Sequence, residues 1–131
     1  LDIDTLERIF TVLGSELVRG GAEVLILEVA DGLYQPETAA LIDSGVFRQG
    51  VDGIILAVSD AMGAVAGHGR LMARQLPLLG LSGVLSASPL ACDEASTQTG
   101  LPVLDLEALA RLRLADLHAN AHLDTMLSLA S

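Results

Sequence analysis

Two short apolar runs constrain the fold of this chain more than any other feature of its sequence. The first occupies residues 24–30, within the stretch EVLILEVADGLYQP at 23–36, and the second, GIILAVS, occupies residues 53–59. Each run has the length of a strand and is followed by an aspartate, Asp31 after the first and Asp60 after the second. Near-continuous apolar strands are typical of parallel sheets that are covered by helices on both faces.

Helical patterns fill the intervals between the apolar runs. Apolar spacing predicts a helix over residues 2–19, Pro36 begins a short helix at 36–44, and residues 61–75 are predicted to be helical despite their glycines. Residues 45–50 are predicted to be a connection. Further strands are predicted at 78–86 and 102–104, with a loop or short helix between them. A long last helix is predicted to begin at the cap Asp105 and to reach residue 127 or beyond.

This order of elements predicts the fold class. Strands that alternate with helices, without two-residue hairpin turns, indicate βαβ units and a parallel sheet. We therefore expect a single α/β domain over residues 1–131, with a three-layer α-β-α arrangement and a mainly parallel, Rossmann-like sheet. At 131 residues the chain is long enough to bury a core.

Composition excludes several classes of function. The net charge is -10, from 17 acidic residues against 7 basic ones, all of them arginine. This balance argues against nucleic acid as a partner, because phosphate binding needs clustered cations. No apolar run approaches the roughly 18 residues that span a bilayer, so no membrane partner is expected. Cys92 is the only cysteine, which excludes an internal disulfide and fits a reducing, cytoplasmic compartment.

Three carboxylates at the ends of predicted strands are the first candidate site. Glu28, Asp31 and Asp60 lie where open α/β sheets place their ligands, and carboxylates there can hold Mg²⁺ through water. The alternatives are that Asp31 belongs to a turn with Gly32 and that Asp60 caps a helix. Glu28 is the strongest candidate, because a carboxylate inside an apolar strand needs a partner or a cation.

Other patterns carry weaker hypotheses. The glycines that follow Asp60, in DAMGAVAGHG at 60–69, predict either an anion site at a helix N-terminus or close packing of helix on sheet. His118 and His122 have the i, i+4 spacing of zinc ligands but lack the glutamate of HExxH, so a solvated helix face is favoured. Acidic neighbours disfavour a reactive thiolate at Cys92, and no serine lies in GxSxG.

Four motifs, taken in order, resemble a known family. They are EVADGLYQP at 28–36, the strand at 54–58 that leads to Met62-Gly63, Gly-Val-Leu at 83–85, and TGLPVL at 99–104. This order is similar to the C-terminal two-thirds of the dethiobiotin synthetase and cobyrinic acid a,c-diamide synthase group of P-loop NTPases. In that family the Gly-Val strand usually ends in an asparagine that helps to read the base, and Ser86 begins the segment that stands in its place.

The resemblance implies ATP-dependent chemistry with Mg²⁺. It implies that Glu28 helps to bind the metal, and the strand-end argument adds Asp31 as a second predicted metal ligand. The predicted nucleotide contacts are Asp60, Gly63 and Ser86. The family's phosphate-binding loop would lie upstream, on a strand that this chain does not contain, and the chain has no lysine to serve it. Val29 and Asp31 also occupy positions that are normally glycine in the family. The chain alone is therefore not expected to hydrolyse a nucleotide.

Three functions remain open at this point. The first is the C-terminal part of a P-loop, ATP- and Mg²⁺-dependent protein that is not catalytic by itself. The second is a non-catalytic α/β domain with a degenerate nucleotide site, which binds a partner or forms homo-oligomers through its leucine-rich terminal helices. The third is a small-ligand Rossmann-like module that uses the glycines after Asp60.

Overall fold

The structure is a computed structural model, and it describes residues 1–113. Its contacts divide the chain into two compact units, Leu1–Gly50 and the residues from Val51 onward. The first unit contains helices α1 (Ile3–Arg19), α2 (Pro36–Asp43) and α3 (Gly45–Gly50). The second contains strand β1 (Ile54–Ala57), helix α4 (Ala61–Met72), strand β2 (Leu78–Ser82), helix α5 (Pro89–Thr99) and helix α6 (Leu106–Arg111). The chain therefore combines helices with parallel strands, as an α/β protein does.

Capping and one aromatic contact organise the first unit. The Asp2 carboxylate accepts a hydrogen bond from the Thr5 backbone N–H at 2.8 Å and so begins α1 at the predicted place. The buried Ser44 hydroxyl accepts from the Phe47 N–H at 3.1 Å, which caps α3 in the same way. Phe47 is buried against Phe10 of α1, with ring centroids 5.5 Å apart. Residues 45–50, predicted to be a connection, therefore form a helix.

The predicted first strand is also wrong. Residues 24–30 have no regular secondary structure, and every one of them is exposed. A strand is defined by hydrogen bonds to a neighbouring strand, and within residues 1–113 no neighbour pairs with this segment. The apolar pattern is typical of a strand, but the described residues contain no strand that pairs with it.

The second unit is a βαβ element. Strands β1 and β2 are parallel, with Leu56 opposite Leu81 and Ala57 opposite Ser82. On its other side, β2 makes one parallel bridge from Leu81 to Val103, so the strand predicted at 102–104 is reduced to a single bridge. The parallel sheet was correctly predicted, although it has only two strands in the described residues.

Helix α4 covers these strands with small side chains. Ala61, Ala64, Gly67 and Leu71 are its buried residues, and they recur every three or four positions along one face. Together with leucines of the strands and their connections they make the core of the second unit, which comprises Leu56, Ala61, Ala64, Leu71, Leu76, Leu78, Leu81, Leu85 and Ala95. Small residues allow the helix to approach the strands closely, and Gly67 is the glycine of α4 that lies on this buried face.

Three boundaries differ from the prediction. Strand β2 ends at Ser82, because Gly83 adopts a φ of 92° and residues Val84–Ala87 form a 3₁₀ turn. The polar stretch after it is the regular helix α5, which ends at Gly100 with a φ of 72°. Helix α6 begins after its cap Asp105, as predicted, but ends at Arg111. The rest of the predicted long helix, including His118 and His122, lies outside the described residues.

None of the helices within residues 1–113 is long and apolar enough to cross a membrane.

Candidate functional site

The carboxyl edge of the β1–β2 pair is the candidate site in the second unit. Two segments leave the sheet at this edge, residues 58–63 after β1 and residues 83–86 after β2. Backbone hydrogen bonds hold them together: the Val58 N–H donates to the Ser82 carbonyl at 2.9 Å, and the Leu85 N–H donates to the Val58 carbonyl at 3.1 Å. The two segments that carry the predicted nucleotide contacts are thus joined through the backbone of Val58.

Asp60 acts as the N-cap of α4. Its Oδ1 accepts a hydrogen bond from the Gly63 backbone N–H at 2.7 Å, which satisfies one of the free donors in the first turn of the helix. The structure therefore brings Asp60 and Gly63 together, as a cap and its donor. A ligand at this helix end would meet the capping carboxylate as well as the remaining N–H groups.

Ser86 lies one residue beyond the backbone bond that joins the two segments. Its hydroxyl donates to the Gly83 carbonyl at 2.8 Å, so it closes the 3₁₀ turn that follows β2. The side chain is half-buried, and its oxygen can still accept a hydrogen bond. Ser86 is held at the carboxyl edge of the sheet by this local hydrogen bond.

Gly83 is the important residue of this edge that sequence reasoning missed. A Cβ at this position would lie 2.8 Å from the Val58 carbonyl oxygen and 2.9 Å from the Val58 nitrogen. Only glycine permits both this close approach and the φ of 92°. The signal was present in the sequence, as a glycine that interrupts the apolar run at 78–86.

The predicted metal ligands lie in the first unit. Glu28 and Asp31 are both exposed, at the end of the segment that was expected to be a buried strand. The burial argument for Glu28 therefore does not apply, since an exposed carboxylate is hydrated and needs no cation. Among residues 1–113, no three His, Cys, Asp or Glu side chains come together in a group that could hold a metal ion.

Two exposed carboxylates suit Mg²⁺ chemically, even without a third protein ligand. Magnesium keeps several water molecules and is commonly bound through one or two carboxylates plus the phosphates of a nucleotide. Glu28 and Asp31 could supply those carboxylates. The phosphate-binding groups would have to come from elsewhere, because the chain contains neither GxxxxGK[ST] nor a lysine.

A shallow groove runs between α4 and α5 close to this edge. It is mainly apolar and is lined by Ala61, Met62, Val65, Ala66, Glu94 and Gln98. Its single carboxylate and open shape do not define a ligand. We therefore assign it no function.

Comparisons of the chain with models of known protein families, with curated proteins and with solved structures found no match. The resemblance to the dethiobiotin synthetase group therefore stays a prediction that rests on the four motifs.

Proposed function

We propose that this chain is the C-terminal part of a P-loop protein of the dethiobiotin synthetase-like group, which depends on ATP and Mg²⁺ and is not catalytic without its other part. The carboxyl edge of the parallel β1–β2 pair carries this proposal. There, the Asp60–Gly63 cap and the turn that ends at Ser86 are tied together through Val58. Open α/β sheets bind their ligands outside this edge of their strands.

Each predicted residue has a role in the proposal. The Gly63 end of α4 and the Ser86 hydroxyl contact the nucleotide, and Asp60 fixes the first turn of α4 for that purpose. Glu28 and Asp31 hold Mg²⁺ through water, and the metal neutralises phosphate charge. The phosphate-binding loop and its lysine belong to a segment outside these 131 residues. In the complete protein, the sheet is the mainly parallel, Rossmann-like layer of a three-layer α-β-α fold.

Calorimetry with Mg·ATP tests the proposal on two proteins. We expect no tight binding by the 131-residue chain, and tight binding by the longer protein from the same reading frame. In the longer protein, Glu28→Gln should remove the Mg²⁺-dependent part of the affinity and leave the unfolding transition unchanged. Glu23→Gln, the same change at another exposed position of the same stretch, is the matched control and should bind as the wild type does. A longer protein that binds no nucleotide would contradict the proposal.

A second candidate function is favoured by the surface of α1. No residue of this helix is buried, and large apolar side chains on it are exposed, namely Ile9, Val12, Leu13, Leu17 and Val18. Contiguous apolar patches of this kind mark interaction surfaces. The alternative is therefore a non-catalytic domain that binds a partner or oligomerises through its terminal helices. Sedimentation tests it: a chain that stays monomeric at high concentration and captures no partner would count against this alternative.

A further inference from the structure

The backbone of residues 24–30 makes no hydrogen bond within the described residues. Pairing resumes on either side of it: the Ala22 N–H donates to the Leu17 carbonyl at 3.0 Å, and the Gln35 N–H donates to the Gly32 carbonyl at 2.9 Å. Between these two bonds lies a row of N–H and C=O groups that no group within residues 1–113 satisfies. Such a row is a template for strand addition.

The side chains of the same segment are those of a strand. Val, Leu and Ile dominate it, and all of its large apolar side chains are exposed, with Ile26 at 95%. Leu25 is directed towards α1, because its Cδ1 lies 3.9 Å from where a Cβ on Gly14 would be. One side of the segment is thus partly supported by its own unit, while the backbone edge is open.

The charges at this segment indicate which kind of strand could pair with it. Glu23, Glu28 and Asp31 bracket and interrupt the apolar run, and none of them makes an ion pair within residues 1–113. No arginine occurs between Arg19 and Arg48. A second copy of this chain would bring the same three carboxylates to the pair. A strand that carries arginine or lysine would instead place opposite charges across the pair, which stabilises a sheet.

We propose that residues 24–30 bind a basic β-strand of another polypeptide chain by strand addition. Backbone hydrogen bonds provide the contact, β-branched side chains of the partner cover the exposed apolar residues, and its basic residues face Glu23, Glu28 and Asp31. This proposal does not depend on nucleotide binding, because it uses only the unpaired backbone and the charges of the first unit.

A peptide titration tests the proposal on the full 131-residue chain. The probe is the capped peptide Arg-Val-Thr-Val-Thr-Val-Arg, and the comparison peptide has glutamate in place of both arginines. We expect saturable binding of the basic peptide, together with slower amide hydrogen exchange at residues 24–30. The affinity of the acidic peptide should be lower by a factor of at least about five, because attractive charge pairs become repulsive. Equal affinity for the two peptides would overturn the charge argument.

Proline substitutions distinguish strand addition, which needs backbone hydrogen bonds, from non-specific contact between apolar side chains. Ile26→Pro removes one N–H and should abolish binding, whereas Ile26→Thr keeps the backbone and should retain it. Because Ile26 is almost fully exposed, neither change removes a buried side chain from the described part of the chain. A basic peptide with proline at its central valine provides the same test without altering the chain.

Four further results would overturn the proposal. They are no saturable binding at about 1 mM basic peptide, protection of amides outside residues 24–30, and undiminished binding of the proline peptide. The fourth is protection of residues 24–30 when the concentration of the chain alone is raised, or in a longer protein from the same reading frame. In the first case a second copy of the chain would occupy the segment, and in the second case a strand of the same protein would.

Discussion

Replacing Gly83 with alanine should destabilise the second unit strongly. The position has a φ of 92° and a ψ of -158°, a backbone region that is essentially restricted to glycine and costs other residues about 1–3 kcal/mol. The added Cβ would also lie 2.8 Å from the Val58 carbonyl oxygen, which the Leu85 N–H holds in place. Overpacking of this kind costs about 1–3 kcal/mol more. We therefore expect Gly83→Ala to lower the free energy of unfolding by about 2–6 kcal/mol.

The matched control is the same substitution at Gly69. This glycine lies inside α4, and no atom outside the local helix backbone lies within 4 Å of where its Cβ would be. Alanine there should stabilise the chain by up to about 1 kcal/mol, because glycine is the poorer helix former. Urea unfolding followed by circular dichroism measures both variants. If Gly83→Ala unfolds within about 0.5 kcal/mol of the wild type, the close approach between residues 58 and 83 does not exist in solution.

Two further predictions concern helix caps. Asp60→Ala should lower the free energy of unfolding by about 1 kcal/mol, because the Gly63 N–H loses its acceptor. Asp60→Asn keeps an acceptor and should retain most of the wild-type stability. Equal urea midpoints for all three proteins would contradict the capping role. At Asp2, the hydrogen bond from the Thr5 backbone N–H lowers the pKa of the carboxyl below its usual 3.8, so its contribution to stability is present above pH 3.8 and is lost as the pH falls through the lower folded value. The difference in urea midpoint between the wild type and Asp2→Ala should therefore shrink between pH 7 and pH 3, and a difference that grows would contradict this sign.

The second unit was largely predictable from sequence because its determinants are local. The apolar runs that contain β1 and β2 are separated by a helix whose cap, Asp60, lies directly after the first run. Even the errors had local signals that could have been used. Ser88 and Pro89 have the residue types of an N-cap and a first helical position, and Gly100 is a helix C-terminal glycine, so α5 could have been predicted as a full helix.

The first unit was less predictable because its elements depend on contacts that are distant in sequence. Helix α3 is short and is flanked by glycines, and what stabilises it is the Ser44 cap and the burial of Phe47 against Phe10. At residues 24–30 the prediction of a strand was wrong because a contact distant in sequence is lacking among the described residues. The pattern there is that of a strand, but pattern alone cannot supply the neighbouring strand that pairing requires.

The lack of strand pairing at residues 24–30 also affects the proposed metal ligands Glu28 and Asp31. If residues 24–30 were paired, Glu28 and Asp31 would stand at the end of a fixed strand, and their positions would be set by its backbone. Unpaired, the same carboxylates are exposed groups on a segment without regular structure, and holding them at a metal would cost conformational entropy. A metal site that used Glu28 would therefore be favoured by a partner that orders this backbone. Strand pairing and metal binding would be linked through these carboxylates. A paired backbone would hold them in place for the metal, whereas basic residues of an added strand would compete with the metal for them.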